Sequence, residues 1–223
     1  MRSKTAVFMA MVAVSLSLAL ALRASAQMTM SAPELRGVFK PVVGSGAGYD
    51  FVKTDGQKMH FDIAIVDKDP GGGYWTEYSI ADPHSKGTVY MKMMVSQRGD
   101  DVAVEHMIMQ IPGQPPMDMS AMMQGMGGMA HARQSQKIDI RAQAQDLGAE
   151  SVTTPAGTYS CQHWRTKDGD DVWISDKVTP WGLVKMSGKD GTMTLARVIT
   201  DAKTHITGTP LSMEDMMKGM GKQ

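Results

Sequence analysis

Turn signals recur along this chain at intervals too short to fit helices between them. Asp55-Gly56, Pro70-Gly71-Gly72, Lys86-Gly87 and Gly99-Asp100 divide residues 58 to 111 into segments rich in β-formers. Lys167-Asp168-Gly169 and Lys189-Asp190-Gly191 sit where tight hairpin turns belong between residues 151 and 200. A spacing of roughly ten to fifteen residues leaves little room for crossover connections, so the strands form an antiparallel meander. The segment KMHFDIAIVD puts Met59, Phe61, Ile63 and Ile65 on one face. YWTEYSI, TVYMKMMV and VAVEHMIMQI follow as further strands. About eight to ten strands are expected, and an antiparallel sheet of that size must curl to bury one face. The expected fold is therefore mainly antiparallel β (α+β): a strongly curved half-barrel sheet with short Met-rich helices as lid or cavity plug. For residues 138 to 150, periodicity does not decide between helix and strand.

The helices come from a twelve-residue segment that occurs twice. Residues 116 to 127 read PMDMSAMMQGMG and residues 210 to 221 read PLSMEDMMKGMG. Met119, Met122, Met123 and Met126 are spaced i, i+3, i+4, i+7, and so are Met213, Met216, Met217 and Met220. That spacing places four thioethers on one face of each short helix. Asp118 and Ser212 stand where an N-cap belongs, and glycines follow closely to stop each helix. Helices are expected over 118–125 and 212–219. Glycine-flanked helices of this length are marginal alone, which makes them candidates for lids that dock and release.

The first 26 residues have the layout of a secretory signal peptide. Arg2 and Lys4 form a basic n-region, residues 5 to 22 are almost wholly apolar, and Ala24-Ser25-Ala26 is an A-x-A cleavage site. With no cysteine near that site, lipid attachment there is excluded. The expected organisation is a cleaved signal over 1–26 and a single half-barrel-like domain over 27–223. Within it, 112–137 is a Met/Gly/Pro-rich insertion and 210–223 a Met-rich C-terminal helix. The expected location is the periplasm or the exterior, with the mature chain soluble. Cys161 is the one cysteine, so no internal disulfide can form. The formal charge is zero, and removing Arg2, Lys4 and Arg23 takes it to −3. No basic footprint for nucleic acid is present, and no nucleic-acid partner is expected.

A run of residues near the C-terminal strands carries a family resemblance. Thr154-Pro155-Ala156-Gly157-Thr158-Tyr159-Ser160-Cys161, then Trp173-Ile174-Ser175, then Pro180-Trp181-Gly182-Leu183-Val184-Lys185 resembles the signature of DUF4412-like exported bacterial proteins. These are similar to the half-barrel lipoprotein and lipid carriers of the LolA and LppX type. Pro41-Val42-Val43-Gly44-Ser45-Gly46-Ala47 and Gly73-Tyr74-Trp75 extend the likeness. The resemblance implies a curved antiparallel sheet enclosing an apolar cavity. Independently of it, alternation puts Thr158, Ser160 and Gln162 on one side of a strand, with Tyr159, Cys161 and His163 on the other. Pro180 marks a strand start or edge.

Three readings of the methionine stripes stay open: gap-filling packing, lining for an apolar ligand, and Cu(I) capture by soft thioethers. The pairs Met28/Met30, Met91/Met93, Met107/Met109 and Met117/Met119 share an M-x-M spacing. On strands that spacing also puts both side chains on one apolar face. A copper set would draw on Met122, Met123, Met126, His131, Cys161 and His163. The bland reading of Cys161 and His163 is a buried thiol beside an ordinary histidine. His60, His84, His106, His131 and His205 lack zinc-site spacing and read as structural or exposed. Asp168, Asp170 and Asp171 read as a solvated hairpin turn, and Gly44-Ser45-Gly46-Ala47-Gly48 as a flexible loop. No G-x-S-x-G elbow and no paired carboxylates stand out, so no enzyme activity and no cofactor are expected. The favoured function is an exported binding protein holding a lipid or lipoprotein acyl-like ligand, gripped by Met119, Met122, Met123, Met126, Met213, Met216, Met217 and Met220. The alternatives are a periplasmic Cu(I)-handling protein and a structural envelope protein with Met-helix-mediated contacts to an unknown partner.

Overall fold

The structure, a computed structural model, describes residues 39–81, 87–98, 101–121, 144–212, 215 and 218. The signal segment 1–26 lies outside them. Eleven strands follow in chain order. They are β1 (Gly46–Lys53), β2 (Lys58–Lys68), β3 (Tyr74–Ala81), β4 (Thr88–Arg98), β5 (Asp101–Gln110) and β6 (Met117–Asp118), then β7 (Gln145–Thr154), β8 (Gly157–Arg165), β9 (Asp171–Ile174), β10 (Leu183–Gly188) and β11 (Gly191–Ile199). All pair antiparallel in one open sheet, in the order β6-β5-β4-β3-β2-β1-β11-β10-β9-β8-β7. Two meanders thus meet where the first strand pairs with the last. Register shifts at Gly48/Tyr49, Ile65/Asp67, Met94/Val95, Asp146/Gly148 and Leu183/Lys185 bend the strands, so the sheet curves.

Several local expectations change in this setting. Gly46-Ala47-Gly48 is not a loop but the start of a central strand, buried between β2 and β11. Close packing explains the glycines. A Cβ at Gly46 would lie 2.3 Å from the carbonyl oxygen of Ile63, and one at Gly48 would lie 2.5 Å from Asp62 Oδ1. Pro180 lies in the connection between β9 and β10, ahead of the strand that begins at Leu183. Residues 145–150 belong to β7. Met117 and Asp118 pair with β5, so the first repeat opens as a strand and turns helical only at Ser120.

Because directly opposed residues share a face, the registers sort the side chains. One face, the core face, carries Tyr49, Phe61, Ile63, Ile65, Met193 and Leu195. Tyr49, Ile65 and Leu195 are fully buried, which fits the alternation in β2 that the sequence shows. Phe39 and Trp181 add a tilted aromatic pair at 4.5 Å, with Phe39 edge-on to Tyr74 at 6.3 Å. The opposite face is polar. It carries Asp50, His60, Asp62 and Arg197, with Arg197 Nη2 donating to Asp62 Oδ2 at 2.7 Å.

On the polar face the chain after β11 runs back as a strap towards the sheet edge. Ala202 N donates to the Gly44 carbonyl at 2.8 Å. Thr204 Oγ1 donates to Glu77 Oε2 at 2.5 Å, and His205 N donates to Glu77 Oε1 at 2.9 Å. His205 Nδ1 lies 2.7 Å from the same oxygen, and its ring stacks on Tyr90 at 4.8 Å. Glu77 is only 2% exposed, so its carboxylate needs these partners to offset its lost hydration. The strap ends at Leu211, which bridges to Met117 on β6.

Replacing Glu77 with Ala should therefore loosen the strap. Urea unfolding should show a loss of about 2–4 kcal/mol, as for several hydrogen bonds to one charged group. Amide exchange at His205 and Ile206 should rise to match. An unchanged midpoint with unchanged exchange would show that the strap is held by something else.

Candidate functional site

The core face changes character towards the β6 edge. Three M-x-M segments occupy three adjacent strands there. Met91 lies opposite Met109, and Met109 opposite Met117. Met93 lies opposite Met107, and Met119 N donates to the Met107 carbonyl at 2.8 Å, which carries the ladder one residue further. The result is a grid of six methionines, two on each of three neighbouring chain segments. Opposed side chains in such a ladder have Cβ atoms about 4.5–5.5 Å apart, within reach of long thioethers. Met93 is buried, and Met91, Met107, Met109, Met117 and Met119 are half-buried. Met91 lies opposite Tyr78, Tyr78 opposite Ile63, and Ile63 opposite Ala47, so the grid continues the apolar core face. The sequence held the pairs but not their adjacency. Spacing along one strand says nothing about which strand lies beside it.

The grid adjoins the start of both methionine repeats. Met117 and Leu211 hold the second position of their repeats and form a parallel bridge. Asp118 N donates to the Leu211 carbonyl at 2.9 Å, and Leu211 N donates to the Pro116 carbonyl at 2.9 Å. The two copies are therefore held side by side and in register at their origins. Both expected caps form. Ser120 N donates to Asp118 Oδ1 at 2.8 Å, and Asp215 N donates to Ser212 Oγ at 3.1 Å while Ser212 Oγ donates back to Asp215 Oδ2 at 2.6 Å. These hydrogen bonds hold the Asp118 and Asp215 carboxyls below the usual carboxylate range. Ser120, Ala121, Asp215 and Lys218 are helical. Met122, Met123, Met126, Met213, Met216, Met217 and Met220 lie outside the described residues, and so does a lid built from them.

The copper set is only partly visible. Met122, Met123, Met126 and His131 lie outside the described residues. Cys161 and His163 share one side of β8, as alternation requires. Cys161 is 2% exposed and its thiol faces the Tyr159 carbonyl at 3.6 Å. Burial, reinforced by the nearby Glu150 carboxylate, pushes the thiol up to about 11. His163 stacks on Trp173 at 4.3 Å, with Nε2 3.0 Å from Asp171 Oδ1 and Nδ1 3.7 Å from Glu150 Oε1. Both ring nitrogens thus face carboxylates, while Trp173 Nε1 donates to Glu150. Two cations lie on the same side, Arg165 by alternation along β8 and Lys185 by the ladder through Trp173. Arg165 donates to Asp171 at 2.9 and 3.1 Å, and Lys185 lies over the Trp173 ring at 4.8 Å. Each is engaged away from the thiol. Among the described residues no group of three or more His, Cys, Asp or Glu side chains could hold a metal ion. None of the described helices is long and apolar enough to cross a membrane.

Fold and site together define an open, curved antiparallel β protein with a methionine-lined edge. No family model and no curated protein matches the sequence. Among solved structures, the Pseudomonas aeruginosa MucA/MucB complex aligns with a TM-score of 0.41 and 9% identity, over 79% of this chain and 58% of that one. This chain thus spans little more than half the length of that one. A protein assigned as a lipoprotein from Parabacteroides distasonis aligns at 0.34 and 15% identity, over 72% and 97% of the two chains. A protein assigned as exported, with a YmcC-like fold, from Bacteroides fragilis aligns at 0.33 and 13%, over 73% and 99%. Likenesses this distant leave the function to be argued from the site itself.

The Cys161 environment sets a pH dependence. The folded thiol titrates near 11 against an ordinary 9.0, so the unfolded chain loses this proton first. Its contribution to stability is complete below pH 9 and is lost as pH rises through 11. Replacing Cys161 with Ala should flatten the alkaline fall in urea-unfolding free energy across that window. Thiol labelling of native protein should be slow at neutral pH and fast after denaturation. Fast labelling of the native state would contradict the buried thiol.

Proposed function

We propose that this chain is an exported, non-enzymatic binding protein that holds an apolar ligand, of lipid or acyl-chain character, against its methionine face. The observation that carries the reading is the grid of Met91, Met93, Met107, Met109, Met117 and Met119. Thioether side chains are long, unbranched and polarizable, so they re-pack around an irregular apolar guest. A half-buried apolar patch at the open end of a core face is where such a guest finds cover. The two repeats begin beside the grid, and their sequence spacing alone extends the ligand-holding role to Met122, Met123, Met126, Met213, Met216, Met217 and Met220. The reading is of binding rather than catalysis because thioethers hold a ligand without moving protons. Export rests on the basic, apolar and A-x-A layout of residues 1–26.

Cu(I) capture is the second reading, favoured by the cross-strand closeness of the same thioethers. The two separate cleanly. A Met91→Ser, Met109→Ser, Met117→Ser variant should bind N-phenyl-1-naphthylamine roughly tenfold or more weakly, a change of about 1.4 kcal/mol or more. The triple leucine variant should keep dye binding. Under the copper reading the leucine variant loses Cu(I) in competition with bicinchoninate. A Met122→Ser, Met123→Ser, Met216→Ser, Met217→Ser variant tests the repeats in the same assay. Wild-type dye affinity in both serine variants, with the β circular dichroism intact, would leave only a packing or structural role for the methionines.

A further inference from the structure

The polar face carries a second cluster that apolar binding at the methionine grid does not use. Trp75 of β3, Met94 of β4 and His106 of β5 are direct cross-strand partners, so they form one row on that face. Trp75 and His106 stand two strands apart, about 9–10 Å at the backbone. Their ring centroids are nonetheless only 6.3 Å apart, so the rings lean together above Met94. Met94 is 7% exposed, and its thioether packs on Gly73, where an added Cβ would lie 3.5 Å from Sδ. The row lines a cleft of about 240 Å³ whose remaining walls include Asp69, Ile108, Asp118 and Ser120.

The cleft brings an imidazole, a thioether and an indole together. His106 is exposed and interacts with the Asp118 carboxylate across the cleft, without the close ion pair that His60, His163 and His205 each make. Its exposure leaves the imidazole accessible to a ligand. Beside it stands a buried thioether, and imidazole with thioether is a donor pair that suits Cu(I). The indole face attracts cations, and Lys92 Nζ already lies 4.9 Å from the Trp75 ring centroid. Asp69 accepts from Gly71 N at 2.7 Å, and Asp118 accepts from Ser120 N at 2.8 Å, a contact that holds the Asp118 carboxyl below its ordinary value. Two negative charges against the one of Lys92 leave the cleft attractive to a cation. The described carboxylates and imidazoles do not group as a hard-metal site, so the thioether gives the set its selectivity.

We propose that Trp75, Met94 and His106 form a binding site for a monovalent soft metal ion, on the face opposite the methionine grid. The site stands or falls independently of the apolar ligand. Mature protein is titrated with Ag(I), a redox-inert probe, and with Cu(I) under anaerobic competition by bicinchoninate. The first equivalent should change tryptophan emission, and W75F should remove that change. H106A and M94L should each weaken binding of the first equivalent by roughly tenfold or more. M94L conserves core volume and His106 is exposed, so both variants should fold. H60A should bind as wild type does, and H106A should retain naphthylamine binding. Wild-type affinity in both H106A and M94L, or an undiminished emission change in W75F, would overturn the site.

Discussion

Everything in this sheet depends on the pairing of β1 with β11. Each meander closes locally, strand against next strand, but nothing local joins β1–β6 to β7–β11. The joining ladder runs from Gly46 opposite Ile199 to Lys53 opposite Gly191, across most of the chain length. Its loop-closure cost must be met before the contacts repay it. Tyr49 helps to repay it. It is fully buried, stacks on Phe61 at 5.5 Å, and donates its hydroxyl to the Leu183 carbonyl at 3.0 Å, reaching β10 across β11. Burial drives that hydroxyl far above the ordinary tyrosine range, so it stays a donor.

The second organising contact is the buried Glu77. A carboxylate in the middle of a strand is a poor choice for packing alone. Here it collects Thr204, the His205 amide and the His205 ring, and so fixes where the chain goes after its last strand. That path ends at Leu211, beside Met117. One buried charge thus brings two copies of a repeat, far apart in sequence, to the same edge of the sheet. Their caps are local and form from each copy's own residues, but their adjacency is a product of the strap.

The division of the sheet into an apolar and a polar face gives each its own chemistry. On the core face, alternation sends every second residue inward, so three M-x-M segments yield six thioethers once β4, β5 and β6 are in register. On the other face, the same ladders bring Trp75, Met94 and His106 into one row. A slip of one residue between β4 and β5 would scatter both clusters. The register shift at Met94/Val95 falls beside the second cluster, at the point where the strand bends.

Much of this was legible in the residues. Period-two alternation, Asp-Gly turns and capping residues act over two to four positions, so the antiparallel strands, the inward face of β2 and the caps at Asp118 and Ser212 follow from sequence alone. The Cys161–His163 pair on one side of β8 follows for the same reason. Where a local rule misled, a long-range contact outweighed it. Gly46 and Gly48 look like a loop until β2 and β11 close on them. Met117 and Asp118 look helical until β5 offers them a ladder. Glu77 carries no local signal at all, because its partners lie more than a hundred positions away. His106 looks like any surface histidine until Met94 and Trp75 stand beside it. The sequence by itself determined most of the strands and, within each of those, which residues share a side. Only the tertiary structure decided which strands are neighbours, because pairing and register depend on the summed packing of distant segments rather than on any one of them.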